Sequence, residues 1–357
     1  MPTVARVDAA GDGPRVRPGA TRAGAAAEAS PPALPLNPFH GGWAVAAATG
    51  RLVPRGAVRW LSGEGARLPV TDARRLGRLP LPHTAGLGHD HCFAGQPELG
   101  PEPQAGLAAL TDAARGPVLS LSLVPADAPA HAALAAADGV IVQSRTRAML
   151  RSDAGYDDYL VATIRGKKRK ELRRLRARLE DEHGVSERVL GETDDLPEWT
   201  NAFLALEAAG WKGEAGTAMA AREAERSYLA LLLEGARDAG ALRLYRLDVG
   251  GRLDAGERVA AMVIGLMGSD GGLYTYKIAH DPGLARYSPG VLAMLGVARH
   301  VLAGGATYAD SCAREGHSMI EQLWGERRAL HDWVVPKGRA GRLVTQGLLR
   351  AGKARRP

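Results

Sequence analysis

The clearest pattern of hydrophobic and polar positions lies in one central part of this chain. Three mainly apolar runs follow one another there, separated by Gly250-Gly251 and Ser269-Asp270-Gly271. Short apolar runs joined by glycine-containing turns are typical of hairpins. We therefore predict a three-stranded antiparallel meander over Ala241–Val249, Arg258–Met267 and Gly272–Ala279.

Segments whose apolar residues have helical spacing precede and follow this meander in the sequence. Leu172, Leu175 and Leu179 form one stripe of a predicted helix over 167–181, and Tyr228, Leu231 and Leu232 are predicted to face inward from another. The remaining elements predicted in this half are a strand at 185–190, helices at 196–209 and 217–236, a loop at 280–287, a helix at 288–303, a strand at 307–311, a helix at 317–323 and a strand at 330–335. No G-x-G-x-x-G follows a strand suitably, so the order argues against a Rossmann fold.

The first half has a weaker pattern, because glycine and proline break it into short pieces. The predicted elements are strands at 57–61, 118–124 and 140–143 and helices at 104–114 and 128–137. Residues 1–35 lack periodic apolar positions, and we interpret them as a disordered leader. A length of 357 residues allows about two domains.

Charge and cysteine content narrow the possible partners. Nine of the basic residues and one acid fall within Arg165–Arg178, and seven more basic residues without an acid follow Pro336. The net charge of +7 therefore comes from two local segments. No aromatic residues are interleaved with the first segment, so we expect a solvated helix face and no nucleic-acid partner. Two distant cysteines and the lack of a long apolar run predict a cytoplasmic protein without a membrane span.

The segment ARYSPGVLAML marks the join between a predicted loop and the helix after it. Ser288 suits the N-cap and Pro289 the first helical position. Gly290 adds no bulk, so free N–H groups and the positive end of the helix dipole would face an anion. Arg286 would add a bidentate contact. Ser-Pro also begins many helices that bind nothing.

Three segments resemble the GNAT-related family typified by CelD/BcsL-type proteins of bacterial cellulose and exopolysaccharide operons. They are FLALEAAGWKGEAGTAM (203–219), YTYKIAHDPGLARYSPGVLAML (274–295) and ADSCAREGHSMIEQLWGERR (309–328). The resemblance covers about 165–336 and reaches more distantly to the FemAB peptidyltransferases, which consist of two GNAT-like halves. It implies acetyl-CoA or another acyl-CoA as co-substrate. The residues it places around the pyrophosphate are Arg286, Tyr287, Ser288, Gly290, Val291 and Leu292.

The strand through Lys277 would then lie beside the pantetheine arm. One departure concerns the phosphate loop, which in the family reads Q/R-x-x-G-x-G/A. Here Arg286 is followed by Tyr-Ser-Pro-Gly-Val, which leaves fewer backbone N–H groups for a phosphate.

Acyl transfer from a thioester to an amine needs a base and an acid as well as positioning. The candidate bases are Glu207, Asp310 and His317, and the candidate acids are Tyr274 and Tyr276. The two tyrosines share one strand face with Lys277 on the other, an arrangement that is more often packing than catalysis.

Lys277 completes the predicted catalytic set, with neutralisation of a buried carboxylate such as Asp310 as its structural alternative. Trp211, Lys212 and Tyr274 are predicted to contact the acceptor. The Gly88–Cys92 segment (GHDHC) does not match zinc-site spacing, so no metal is predicted.

We therefore predict an α/β (α+β) protein with a tandem GNAT-like acyl-CoA N-acyltransferase fold, in which mixed, mostly antiparallel sheets are flanked by helices. Its parts would be the leader (1–35), a degenerate GNAT-like domain (36–155), the acyltransferase domain (160–338) and a basic C-terminal helix or tail (339–357).

The predicted reaction moves an acyl group from acyl-CoA to the amine or hydroxyl of a small-molecule or saccharide acceptor, in envelope or exopolysaccharide metabolism. The alternatives are a FemAB-like aminoacyl-tRNA-dependent transferase and a non-catalytic GNAT-like accessory protein. The sequence does not define the oligomeric state.

Overall fold

One mixed sheet of eleven strands runs through the part of the chain that the structure, a computed structural model, describes: residues 34–250 and 258–357. The strands are β1 (Arg59–Gly63), β2 (Ala66–Ala73), β3 (His83–Gly86), β4 (Val118–Pro125), β5 (Val140–Leu150), β6 (Val185–Val189), β7 (Leu242–Val249), β8 (Arg258–Met267), β9 (Gly272–His280), β10 (Tyr308–Asp310) and β11 (Glu326–Pro336). Their order across the sheet is β1-β2-β3-β4-β11-β5-β10-β9-β8-β7-β6.

Helices cover both faces of this sheet. They are α1 (Gly42–Ala48), α2 (Pro103–Ala113), α3 (Ala130–Ala136), α4 (Tyr156–Thr163), α5 (Gly166–His183), α6 (Leu196–Ala209), α7 (Trp211–Glu214), α8 (Glu223–Asp238), α9 (Pro289–His300), α10 (Ser318–Glu321) and α11 (Gly338–Arg350). Among the described residues no helix is both long enough and apolar enough to cross a bilayer.

The strands β7, β8 and β9 alternate their side chains between two cores. Helices α1, α6 and α8 pack on one face, where Trp199 and Phe203 of α6 are fully enclosed. Helices α5 and α9 pack on the other face, where Leu179 and Val297 are enclosed. A further core lies between α2, α3 and the strands β1, β2, β4 and β11. Burial on both faces explains why β8 is almost continuously apolar.

The two halves of the chain share this sheet through the position of β11. This strand pairs antiparallel with both β4 and β5, although more than 170 residues separate β5 from it in sequence. Strand β10 pairs antiparallel with β5 on its other side. Helix α1 also packs on α8, so closely that a Cβ on Gly235 would lie 2.6 Å from Cβ of Trp43.

A buried ion network ties β5, β10 and β11 together where they meet. The carboxylate of Asp310 is fully buried; its Oδ1 lies 2.5 Å from Nε of Arg147, and its Oδ2 accepts hydrogen bonds from Arg147 Nη2 at 2.8 Å and Arg328 Nη1 at 3.1 Å. Arg328 continues the network to Asp127, 2.8 Å away. Both arginines are nearly inaccessible to solvent. The desolvation of these charges is therefore offset by several mutual contacts.

Most elements predicted in the second half agree with this structure. The meander, α5, α6 and α9 lie within a few residues of their predicted bounds. In the first half, α2, α3 and β4 agree as well, whereas α1, β2, β3 and α4 were not predicted and β5 extends seven residues beyond Gln143. Helix α11 occupies most of the segment predicted as a basic helix or tail.

Three local predictions need correction. The helix predicted from residue 217 begins at Glu223, after a 3₁₀ turn over Met219–Ala221. Leu231 is 36% exposed and does not face the core with Tyr228. Of the leader predicted over 1–35, residues 1–33 lie outside the described residues, and Pro35 accepts a hydrogen bond from Ser269 N.

The ion network predicts a large difference between two arginines near the end of β5. Replacing Arg147 by Ala should lower the free energy of unfolding by about 3–5 kcal/mol, because the buried Asp310 carboxylate loses its main partner. Arg151→Ala removes a partly exposed pair with Asp127 and a cation–π contact with Tyr308, and it should cost at most about 2 kcal/mol. Urea unfolding curves of both variants measure the two values, and equal losses would contradict a structural role for the network.

Candidate functional site

A cleft opens in the sheet where β9 and β10 separate. The two strands are parallel and pair only from Gly272–Tyr308 to Tyr274–Asp310, after which β10 ends and β9 continues to His280. The last link between them is the hydrogen bond from Thr275 Oγ1 to Asp310 O, 3.1 Å long. The resulting cavity of about 50 Å³, here called the strand cleft, is lined by Thr275, Lys277, Ile278, Met294, Ser311, Ala313 and His317, among others.

A β-bulge at Tyr276 distorts β9 beside this cleft. Gly265 of β8 pairs with Thr275 and Ile264 pairs with Lys277, so Tyr276 is an extra residue in the ladder. A bulge re-aims the side chains that follow it. Tyr274 and Tyr276 pack into the same core as predicted, but the Lys277 ammonium also ends near Tyr276, 5.5 Å from its ring centre. The bulge therefore breaks the alternation expected from a regular strand.

Glu207 of α6 is the centre of a buried ionic cluster on this side of β9. Its side chain is 1% exposed; Oε1 accepts a hydrogen bond from Lys212 Nζ at 2.8 Å, and Oε2 accepts one from Met219 N at 2.9 Å. Lys277 Nζ lies 3.7 Å from Oε1. Asp195 caps the start of α6 by accepting from Glu198 N, which fixes the helix that carries Glu207.

The two lysines control the protonation of Glu207. Burial alone would raise its pKa, but the hydrogen bond from Lys212 and the positive charges of Lys277 and Lys212 hold the pKa below its usual value. Burial lowers the pKa of Lys277, and the Glu207 charge opposes this shift. The cluster thus contains an ionised carboxylate beside an ammonium that holds its proton less firmly than a solvated lysine does.

A second small cleft, here called the helix cleft, lies between the α6–α7 turn and the end of β9. Its lining includes Glu207, Trp211, Lys212, Ile278 and His280, and Trp211 is 68% exposed. The structure therefore brings together six of the predicted site residues around the second half of β9: Glu207, Trp211, Lys212, Tyr276, Lys277 and His317. His280 was not predicted, because its only sequence signal is its position after a strand.

Asp310 and Tyr274 lie elsewhere. Both oxygens of Asp310 face arginines in the buried network, which favours a structural role over the proton-accepting role considered for it. The Tyr274 hydroxyl is 3.2 Å from that of Tyr308 in the same network. Lys277 lies beside a buried carboxylate, as its structural alternative supposed, but that carboxylate is Glu207 and not Asp310.

The start of α9 differs in detail from its prediction. Ser288 has left-handed backbone angles (φ 53°, ψ 53°), and its side chain makes no capping hydrogen bond. Its carbonyl oxygen accepts hydrogen bonds from the N–H groups of both Val291 and Leu292. Gly290 is buried, and a Cβ there would lie 3.4 Å from Nδ1 of His280. Few backbone donors therefore remain for an anion.

Arg286 and Tyr287 form a cluster with Glu182 of α5. Arg286 Nη2 donates to Glu182 Oε2 at 2.8 Å, and the buried ring of Tyr287 directs its hydroxyl to the same carboxylate. Arg286 remains 56% exposed. Its guanidinium can therefore exchange Glu182 for a phosphate without leaving solvent.

The first half of the chain supplies a histidine-bearing loop to this region. His91 stacks on Tyr228 of α8, with ring centres 5.5 Å apart, and its Nε2 lies 3.8 Å from Glu225. Its ring centre is 6.4 Å from that of Tyr276, whose pKa is raised well above its ordinary value by burial. No group of three or more potential metal ligands occurs in residues 34–250 and 258–357. The sequence draws attention to the GHDHC segment, but it does not predict the contact between His91 and Tyr276 of β9.

One known family matches part of the chain. Residues 166–317 match the family described as "Acetyltransferase (GNAT) domain". No curated protein matches the chain. The α/β GNAT-like fold predicted from the sequence is confirmed, with one mostly antiparallel sheet in place of separate sheets.

The solved structures that resemble the chain include FemX, with a TM-score of 0.54 and 11% identity over 81% of this chain and 89% of FemX. A conserved protein of unknown function from Bacteroides thetaiotaomicron VPI-5482 has a TM-score of 0.52 and 12% identity over 84% of this chain and 92% of its own. At these identities the likeness concerns the fold alone.

Buried histidines predict a loss of stability in mild acid. Burial lowers the pKa values of His40, His89 and His91 to about 4, from an ordinary value of 6.5. Between these values the unfolded chain binds more protons than the folded one. The free energy of unfolding should therefore decrease as the pH falls from about 6.5 to about 4, by up to about 1.4 kcal/mol per pH unit for each histidine.

The variant His91→Phe keeps the ring against Tyr228 and should make this dependence shallower. His317→Phe is the control, because that imidazole is exposed in the folded chain. Urea titrations at several pH values give the slopes. Indistinguishable slopes for wild type and His91→Phe would refute the assignment.

Proposed function

We propose that the protein is an acyl-CoA-dependent acyltransferase, with acetyl-CoA as the first candidate donor and an amine or hydroxyl as acceptor. The observation that carries this proposal is the 3.7 Å contact between Lys277 and Glu207. Lys277 lines the strand cleft and Glu207 lines the helix cleft, so the contact joins two openings on either side of one strand. A donor in one cleft and an acceptor in the other would meet beside it.

The strand cleft, at about 50 Å³, is too small to enclose a pantetheine arm, but the open edge of β9 beside it suits an extended amide-containing chain. Beyond Tyr274, β9 has backbone groups on the edge that faces away from β8, and no described strand pairs with them. Such an edge binds extended chains through main-chain hydrogen bonds. The pantetheine arm of CoA carries amides that can make such bonds, and the start of α9 with Arg286 lies beyond the end of β9, where the pyrophosphate would follow.

The chemistry assigned to the cluster is direct transfer. The acceptor nitrogen or oxygen attacks the thioester carbon, and its proton passes to the Glu207 carboxylate, directly or through water. The carbon–sulfur bond then breaks, and the CoA thiolate takes a proton from the Lys277 ammonium, whose pKa burial lowers. Before the bond breaks, the same ammonium stabilises the negative charge on the carbonyl oxygen. We propose His317, at the rim of the strand cleft, as the alternative base.

We propose that Trp211 and Lys212 receive the acceptor, because both line the helix cleft and Trp211 is exposed. A small molecule or a saccharide fits this position. The envelope or exopolysaccharide setting rests on the CelD/BcsL-type resemblance alone. The cytoplasmic location is supported by two cysteines that are both free.

The start of α9 favours a second candidate, a FemAB-like transfer from aminoacyl-tRNA. Ser288 O occupies two of the first N–H groups of the helix, and Arg286 is paired with Glu182. Both features reduce the number of donors available to a CoA pyrophosphate. An activity that is lost on RNase treatment would identify this second function.

Calorimetry with acetyl-CoA tests the donor. We expect micromolar binding by the wild type and about ten-fold weaker binding by Arg286→Ala, because a charge-assisted contact to phosphate is removed. Arg178→Ala is the matched control, since Arg178 pairs with the same Glu182 carboxylate. If neither acetyl-CoA nor longer acyl-CoAs bind the wild type, the acyl-CoA proposal fails. The tRNA-dependent or non-catalytic function would then take its place.

The rate of CoA release, measured with a set of candidate acceptors, tests whether Glu207 is the base. Glu207→Gln should lower kcat by about 10²–10⁴-fold, because it removes the proton acceptor together with the charge that pairs with Lys212 and Lys277. Acetyl-CoA affinity should be kept, because the proposed phosphate contact at Arg286 is unchanged. Glu214→Gln, an exposed change on α7, should leave both quantities unchanged. A Glu207→Gln variant that folds, binds acetyl-CoA and turns over normally would exclude Glu207 as the base.

A further inference from the structure

A large groove lies between α4, α5 and α9, away from both clefts. Its volume is about 600 Å³, and it shares no lining residue with the strand cleft or the helix cleft. Sites for small organic ligands are typically about 300–1,000 Å³. This arginine groove is lined by Tyr156, Asp157, Leu160, Val161, Ile164, Arg169, Leu172, Arg173, Arg176, Ala177, Glu180, Glu187, Leu292, Leu295 and Arg299.

The floor of the arginine groove is apolar. Ile164, Leu172 and Leu292 are buried beneath it, while Leu160 and Leu295 are partly exposed within it. Val161 at its edge is 61% exposed. Apolar side chains exposed together in a concave surface favour the binding of an apolar group.

The rim carries four arginines, of which three are already engaged. Arg176 and Arg299 both pair with Glu187. Arg169 donates to Val161 O, 2.9 Å away, and to neighbouring carbonyl groups at the end of α4. Arg173 is exposed and has no hydrogen bond or ion pair with any described residue. The lining also contains the carboxylates of Asp157, Glu180 and Glu187. Because the other three arginines are engaged, Arg173 is the position available to an anion.

The cationic character extends from Arg173 along α5. Lys167 and Lys170 are also exposed and without an ion pair among the described residues. Together with Arg173 they follow one another at spacings of three residues, which makes them neighbours along the helix. A single-stranded nucleic acid would be expected to stack its bases on aromatic side chains, and α5 has none. The apolar floor favours a ligand with a hydrocarbon chain.

We propose that the arginine groove binds an anionic amphiphile, with its hydrocarbon chain on the apolar floor and its phosphate or carboxylate on Arg173. This site shares only Leu292 with the residues predicted around the CoA pyrophosphate, and it does not depend on the proposed acyl transfer. A free single-chain amphiphile and the headgroup end of a membrane lipid share this chemistry.

Lysophosphatidic acid, kept monomeric and titrated into the full chain by calorimetry, is the first probe. Wild type should bind it, and Arg173→Glu should weaken binding by about ten-fold or more, because a charge-assisted contact becomes a repulsion. Ala177→Phe should weaken binding similarly by filling the groove from an exposed position. Arg174→Glu is the matched control with the same change of charge on the same helix, and it should alter affinity by less than about two-fold.

Vesicles that contain phosphatidylglycerol distinguish the two sources. If co-sedimentation shows the same order of variants, the ligand is a membrane lipid; binding of the monomer alone identifies a free amphiphile. Both outcomes support the binding of an anionic amphiphile in the arginine groove. Equal weakening by Arg173→Glu and Arg174→Glu, with Ala177→Phe unaffected, would show a diffuse charge contact and overturn the proposal. A wild type that binds neither lysophosphatidic acid nor the vesicles would also overturn the proposal. So would a wild type that binds single-stranded RNA, with equal weakening by Arg173→Glu and Arg174→Glu and no effect of Ala177→Phe.

Discussion

The pairing of one buried carboxylate with two buried arginines holds the centre of the sheet. Asp310 ends β10, Arg147 comes from β5 and Arg328 from β11, so three strands from both halves of the chain meet at one ionic contact. An unpaired charge at this depth would be strongly unfavourable, and each of the three residues therefore requires the others. Asp310 is also the last residue of β10. Beyond it, the edge of β9 that faces away from β8 has no strand partner among the described residues, and the strand cleft lies there.

The candidate site depends on this arrangement in a second way. Tyr274, immediately before the open part of β9, contacts the ion network through Tyr308 and packs on Phe39 from the first half. The bulge at Tyr276 follows two residues later and brings Lys277 to Glu207. The first half of the chain thus supports the site from behind, through Phe39 and the His91 loop, while the second half provides the groups that face the clefts.

Several parts of the site could be predicted because their signals are local. The meander and the helix start at Pro289 each depend on residues within a few positions of one another. Other parts were missed because polar residues occupy core positions. The second half of β5 contains Arg147, which argues against a buried strand until its partner, 163 residues away, is known. The capping role of Ser288 was wrong because left-handed backbone angles turn its side chain away from the first turn.

The amino-acid sequence alone was enough for the fold class, the order of elements in the second half and the group of polar residues worth examining. Periodicity and turn chemistry act over a few residues, and they survive in any tertiary context. The insertion of β11 between β4 and β5, the structural engagement of Asp310, the pairing of Lys277 with Glu207 and the arginine groove came only from the folded chain. Each of these depends on side chains brought together by packing, and burial decides whether a charged residue is a structural partner, a reactive group or a free binding position.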